Sequence, residues 1–202
     1  MRAVEEKKLK QPKEVGVGPE YHRIYEIEFT AREAEVKLAA EKLKKELNFF
    51  SPQWIATFEK ITGSATAPTK KGEEFEVHLP GPWEAPVRVK SVGEKELALD
   101  TLEGHPEAGQ IRFEVQEKGQ DTYCFRIESF ARSKDALVDL LYDKIPLIRY
   151  AQKEMWERYC LNFARYARHP AAGRDSQKGD EGLKVKVTTE KRSGPEEPWQ
   201  SI

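Results

Sequence analysis

Long apolar runs, closely spaced cysteines, metal-binding spacings and an excess of charge of either sign are all missing from this sequence. Each absence removes a class of function. No segment approaches the roughly 18 apolar residues needed to span a bilayer. The opening Met-Arg-Ala-Val-Glu-Glu-Lys-Lys is too acidic and too polar for a secretory leader. Cys124 and Cys160 lie far apart and form no C-x-x-C pattern, which fits reduced, partly buried thiols and not a disulfide scaffold. A cytoplasmic location is therefore expected. Lys plus Arg number 34 against 35 Asp plus Glu, a net charge of -1, so nothing draws the chain globally toward nucleic acid or anionic membrane.

Cofactor chemistry finds no foothold either. His22, His78, His105 and His169 are scattered, without H-x-x-x-H spacing or a cysteine partner, so no metal is expected. No G-x-x-x-x-G-K-[ST] or G-x-G-x-x-G motif is present, and Gly16-Val-Gly18 opens no strand–helix unit. Neither cysteine has a histidine beside it, which leaves a cysteine nucleophile unsupported. No cofactor is expected.

What is present is enough chain, 202 residues, for about one domain with a substantial core. Residues 1–19 read as a flexible arm, 20–168 as the folded domain and 169–202 as a polar, disordered tail. Within the tail, Leu183, Val185 and Val187 alternate with lysines and allow a short edge strand. Tyr25, Ile27 and Phe29 alternate with Glu26 and Glu28 in a first strand. Thr30 and Glu33 form a T-x-x-E capping box, and Val36, Ala39, Ala40, Leu43 and Leu47 then recur at helical spacing.

A series of strands follows over 54–61, 73–79, 87–92, 95–101, 110–116 and 122–130, with a proline-rich corner at Pro80-Gly-Pro-Trp-Glu-Ala-Pro86. Ser133 is a candidate cap for a short helix over 134–142, and Pro146 breaks it from a long helix over about 145–168. The apolar line Leu137, Leu141, Ile145, Ile148, Gln152, Met155, Trp156, Tyr159, Phe163 has one polar residue in its middle. The order is an α+β plan: a curved antiparallel sheet whose apolar face must be covered by a long C-terminal helix.

The nonapeptide Thr101-Leu-Glu-Gly-His-Pro-Glu-Ala-Gly109, followed by Phe113, resembles the hallmark of the family known as domain of unknown function nineteen-ninety. Supporting likenesses are Pro80-Gly-Pro-Trp83 with Val87-Arg-Val89, Ser129-Phe-Ala-Arg132, and Pro146 with Gln152. The resemblance spans roughly residues 21–168, most strongly 80–165. It implies the helix-grip fold of START domains and the birch-pollen allergen type, which commonly hold lipids, hormones or polyketides beneath the long helix. Family members usually carry two acidic residues after the second glycine of the hallmark. This chain has Gln110 and Ile111 there, which bears on any role that needs those acids.

The hallmark puts an imidazole and a carboxylate on a loop stiffened by Pro106 and given backbone freedom by Gly104 and Gly109. Three roles are open to it. It can be a structural turn in which Glu107 accepts backbone amides and His105 packs on the sheet; it can orient a ligand; or it can transfer protons, since histidine titrates near neutrality. Gln152 either faces a polar spot in a cavity or bonds a strand carbonyl. Arg126 and Glu128 read as a surface pair, and Trp54 and Trp83 as core or cavity-rim packing.

The expectation for the whole chain is a binding module for an apolar or amphipathic small molecule. Its walls would be Tyr123, Phe125, Met155, Trp156 and Tyr159, with Trp83, Thr101, His105, Glu107 and Gln152 completing the site. The second reading is an enzyme of the same fold, a hydrolase or cyclase using His105 and Glu107 as acid and base. The third is a protein-interaction domain with a filled core. The basic residues of the last helix, Arg149, Lys153, Arg158, Arg165 and Arg168, are interrupted by Glu154 and Glu157, so a nucleic-acid partner is not expected.

Overall fold

The computed structural model describes residues 8–79, 84–136, 146–173 and 180–202. Strand β1 (Val17–Thr30) leads into helix α1 (Glu33–Lys45) and a 3-10 turn (Leu47–Phe49). Six strands then run in succession: β2 (Thr57–Lys60), β3 (Glu74–His78), β4 (Pro86–Val92), β5 (Glu96–Thr101), β6 (Glu107–Gly119) and β7 (Thr122–Ser133). Helix α2 (Pro146–Arg168) follows, and the chain ends in β8 (Val185–Arg192) and β9 (Gln200–Ser201). The nine strands form one antiparallel sheet in the order β2-β3-β4-β5-β6-β7-β1-β8-β9. Register shifts at Val17/Tyr21, Val89/Ser91 and Glu117/Gly119 add the local twist that lets so wide a sheet curl. This is the helix-grip plan, and α2 is the gripped helix.

Alternation decides which face of the sheet meets α2. Tyr25, Ile27 and Phe29 of β1 stand beside Ile127, Phe125 and Tyr123 of β7, and all six are buried. From α2, Met155, Trp156, Tyr159, Cys160, Phe163, Ala164 and Ala167 are buried against them. Phe125 and Phe163 stack with ring centroids 3.9 Å apart, and Phe113 meets Trp156 edge-on at 5.7 Å. The Tyr159 hydroxyl donates to the Leu47 carbonyl (2.8 Å) and the Asn162 amide to that of Phe50 (3.0 Å), tying α2 to the turn after α1. These hydrogen bonds offset the desolvation cost of burying the two polar groups.

Four sequence expectations change. Thr30 does not cap α1, because it remains paired with Thr122 in the sheet; the cap is Arg32, whose backbone and guanidinium both meet Glu35. The arm is partly built in: Gln11 bonds the Thr101 carbonyl through its amide (2.9 Å), and β1 starts at Val17. The tail is not a disordered appendage over 185–192, where β8 pairs with β1 from Ile27↔Val185 to Glu20↔Arg192. Trp54 is 71% exposed and lies 5.7 Å beneath the Arg158 guanidinium, so it is neither core nor rim packing. The corner at Pro80–Trp83, Leu137, Leu141, Ile145 and nearly all of the expected 134–142 helix lie outside the described residues.

Both cysteines are buried free thiols whose pKa values burial pushes up, as expected of inert core residues. No helix among the described residues is long and apolar enough to cross a membrane.

Candidate functional site

Thr101, His105, Glu107 and the two glycines of the Thr101–Gly109 hallmark each have a visible physical task. Thr101 ends β5, and its hydroxyl accepts the Gly109 amide (2.8 Å) while lying 2.9 Å from the Gln11 carbonyl. That hydroxyl closes the base of the loop. Gly104 has φ +103°, a left-handed conformation that a side chain would strain. The His105 amide donates to the Leu102 carbonyl (3.0 Å), and the Gln11 side chain donates to the carbonyls of His105 (2.9 Å) and Glu107 (3.1 Å). Gly109 sits where a Cβ would fall 2.0 Å from the Phe130 carbonyl oxygen of β7. The second hallmark glycine is therefore required by close strand contact.

His105 turns back on its own loop. Its Nδ1 lies 2.9 Å from both the amide nitrogen and the carbonyl oxygen of Glu107, accepting from the first or donating to the second according to the ring tautomer. Burial by the surrounding protein pushes its pKa down to about 4. A histidine held neutral in the fold but free to protonate when unfolded makes stability rise with pH between the two values. The fold is therefore expected to lose up to about 3 kcal/mol as pH falls from about 6.5 to about 4. His105→Asn keeps a side-chain hydrogen bond to the Glu107 backbone without a titrating group. Denaturant titrations across that window should show this variant with a distinctly flatter pH profile than the parent.

Glu107 points the other way, beneath α2. Its Oε1 accepts from Arg23 Nη1 of β1 (3.0 Å) and its Oε2 from Gln152 Nε2 of α2 (3.2 Å). The Arg23 and Glu107 side chains retain only 8% and 14% of their exposure, so this is a nearly dry ion pair. Such a pair is tolerated only when its remaining hydrogen-bonding capacity is also filled. Arg23 in turn lies over the Tyr21 ring at 4.7 Å. Tyr25, two residues further along the same strand face, has its phenol pKa raised by burial and stays neutral.

The expected site residues thus divide into groups. Thr101, His105 and Glu107 share the hallmark loop, and Glu107 reaches Gln152 directly. Met155, Trp156 and Tyr159 continue the Gln152 stripe into the core, where Tyr159 faces Phe125 at 6.4 Å. Tyr123 does not join them; it stacks on Phe29 at 6.2 Å, with Lys95 6.0 Å from its ring. Trp83 lies outside the described residues.

Among the described residues the Glu107 carboxylate accepts from side chains and not from the backbone amides the turn reading gave it. Gln152 bonds a carboxylate and not a strand carbonyl. Gln110, in the place of a family acid, meets Lys90 on the other face of the sheet, away from this cluster. Arg23 and Gln11 were missed by the sequence reading. Arg23 did leave a signal, as a cation in register with Tyr25, Ile27 and Phe29.

Other candidates resolve simply. Arg126 and Glu128 pair at 2.9 Å. Two cations of α2 have their own partners, Arg158 on Glu154 and Arg165 on Asp180. Among the described residues no cluster of three His, Cys, Asp or Glu could hold a metal ion.

A family model described as Domain of unknown function (DUF1990) matches residues 14–162. No curated protein sequence matches significantly. Among solved structures, a norcoclaurine synthase point mutant from Thalictrum flavum is similar, at 16% identity and a TM-score of 0.48 over 73% of this chain and 94% of that one. A conserved protein from Geobacillus kaustophilus is 11% identical (TM-score 0.43, 72% and 96% covered). A hypothetical protein from Helicobacter pylori is also 11% identical (TM-score 0.47, 72% and 86% covered).

Proposed function

The chain belongs to the family described as Domain of unknown function (DUF1990), and from that premise we propose that it is a binding module for an apolar or amphipathic small molecule held between the sheet and α2. The observation that carries this reading is the Arg23–Glu107–Gln152 cluster. It joins the sheet to the helix where the α2 stripe passes from a polar residue to Met155 and Trp156. A ligand there meets donors and an acceptor at one end and apolar side chains beyond, the composition of most small-molecule sites. The stacked Phe125 and Phe163 fill the space farther along α2, so the ligand belongs at the Gln152 end.

Acid–base work is less well served by this arrangement. The His105 Nδ1 is committed to the Glu107 backbone, and the Glu107 carboxylate is committed to a guanidinium. Both features suit a fixed polar anchor more than a proton shuttle. A cytoplasmic location belongs to the same proposal.

The test is calorimetric titration with fatty acids, sterols and aromatic polyketides. At least one class should bind the parent protein, and Gln152→Leu should weaken that binding about tenfold, the equivalent of one lost hydrogen bond. A bound ligand indifferent to both Gln152→Leu and Glu107→Gln would refute the site.

A further inference from the structure

A pocket lies away from the hallmark, at the β2 edge of the sheet. This open pocket offers about 370 Å³ between the C-terminal end of α1, the 47–49 turn, and strands β2 and β3. That volume is within the range of small-molecule pockets. Phe58, opposite Val77, and Phe75, opposite Lys60, are both buried and lie diagonally across β2 and β3, and Leu47 and Phe49 supply further apolar wall. Ala65, from the loop between β2 and β3, closes one side.

The loop that carries Ala65 is pinned. Lys60 Nζ donates to the carbonyls of Ser64 (3.1 Å) and Ala67 (3.3 Å) and pairs with Glu73 (2.8 Å). The Thr69 amide donates to the Lys44 carbonyl at the end of α1 (2.9 Å). The wall is therefore a built surface.

Charge then selects what fits. Lys45, Glu46 and Lys60 all line the pocket. Lys60 is neutralised by Glu73, and Glu46 by Lys42 at 2.8 Å. The Lys45 ammonium has no carboxylate partner among the described residues. An aromatic-walled pocket with one uncompensated cation at its rim complements a molecule with an apolar body and a single negative charge.

We propose that this pocket is an auxiliary site for an apolar organic acid, an aryl or alkyl carboxylate or sulfonate. Its body lies against Phe49, Phe58 and Phe75, and its anionic group faces Lys45. The site shares no residue with the Arg23–Glu107–Gln152 cluster and stands or falls independently of it.

The probe is 1-anilinonaphthalene-8-sulfonate, followed by fluorescence on the full chain. Saturable binding at one equivalent is expected, with affinity falling as salt is added. Ala65→Trp fills the pocket from an exposed position and should lower affinity at least tenfold. Lys45→Glu, also exposed, should lower it several-fold and remove the salt dependence. Circular dichroism should show both variants folded. Gln152→Leu should leave the probe's affinity unchanged. Parental affinity in both pocket variants would overturn the proposal, as would loss of binding in Gln152→Leu alone, which would put the probe beneath α2.

Discussion

Replacing Arg23 with alanine should lower folding stability by about 3–5 kcal/mol, the cost of leaving a buried carboxylate without its partner. Glu107 has nowhere to take its charge: its side chain keeps 14% of its exposure, and its other oxygen is already on Gln152. The urea midpoint should fall with little change in slope, since the native surface is otherwise intact. The paired replacement Arg23→Met with Glu107→Leu removes both charges and should recover most of the loss, because an apolar pair of similar volume avoids the desolvation cost. If the double variant is as unstable as Arg23→Ala alone, the ion pair is not what the single substitution broke. The recovered protein should still fail to bind ligand, which would separate the stability of the cluster from its use.

Gly109→Ala should be still more damaging, on the order of 4 kcal/mol or beyond, with loss of soluble folded protein. A Cβ at this position lies 2.0 Å from the Phe130 carbonyl oxygen and 2.8 Å from the Ala131 Cα, both backbone atoms of β7. Neither is a flexible side-chain end, so β6 and β7 must part over the stretch that aims Glu107 under α2. Gly119→Ala, at the far end of the same strand, meets nothing within 4 Å and should be close to neutral. Near-ultraviolet circular dichroism of the two variants makes the comparison. Equal stability would mean that the hallmark glycine is not there for strand contact.

How much of this was legible in the sequence depends on the range of the forces involved. Alternation marked Tyr25, Ile27 and Phe29, and helical spacing marked Met155, Trp156, Tyr159 and Phe163, because burial imposes a period on each element. The partnership of Glu107 with Gln152 lay hidden behind a sequence separation of 45, although each stood out on its own. Arg23 was visible as a cation on an apolar strand face, yet its meaning needs the carboxylate opposite it. Gln11 gave no signal, since side-chain bonds to distant carbonyls leave no periodicity. The β8 strand was legible only as the alternation of Leu183, Val185 and Val187 with lysines, short of its full length to Arg192. It joins β1 through backbone bonds that any sequence can make, and its side chains are mostly half-buried. Thr30 misled because a capping motif is local, while its pairing with Thr122 is not.

The central claim is that the hallmark loop aims Glu107 at Arg23 and Gln152 to form the polar end of a ligand site beneath α2. Native mass spectrometry of the full chain as isolated tests it most directly, comparing the parent protein with Gln152→Leu. The account predicts a non-covalent adduct of small-molecule mass on the parent protein that is strongly depleted in the folded variant. A parent protein that flies at its bare mass and takes up none of the calorimetric ligands, or an adduct equally abundant in both proteins, would contradict it.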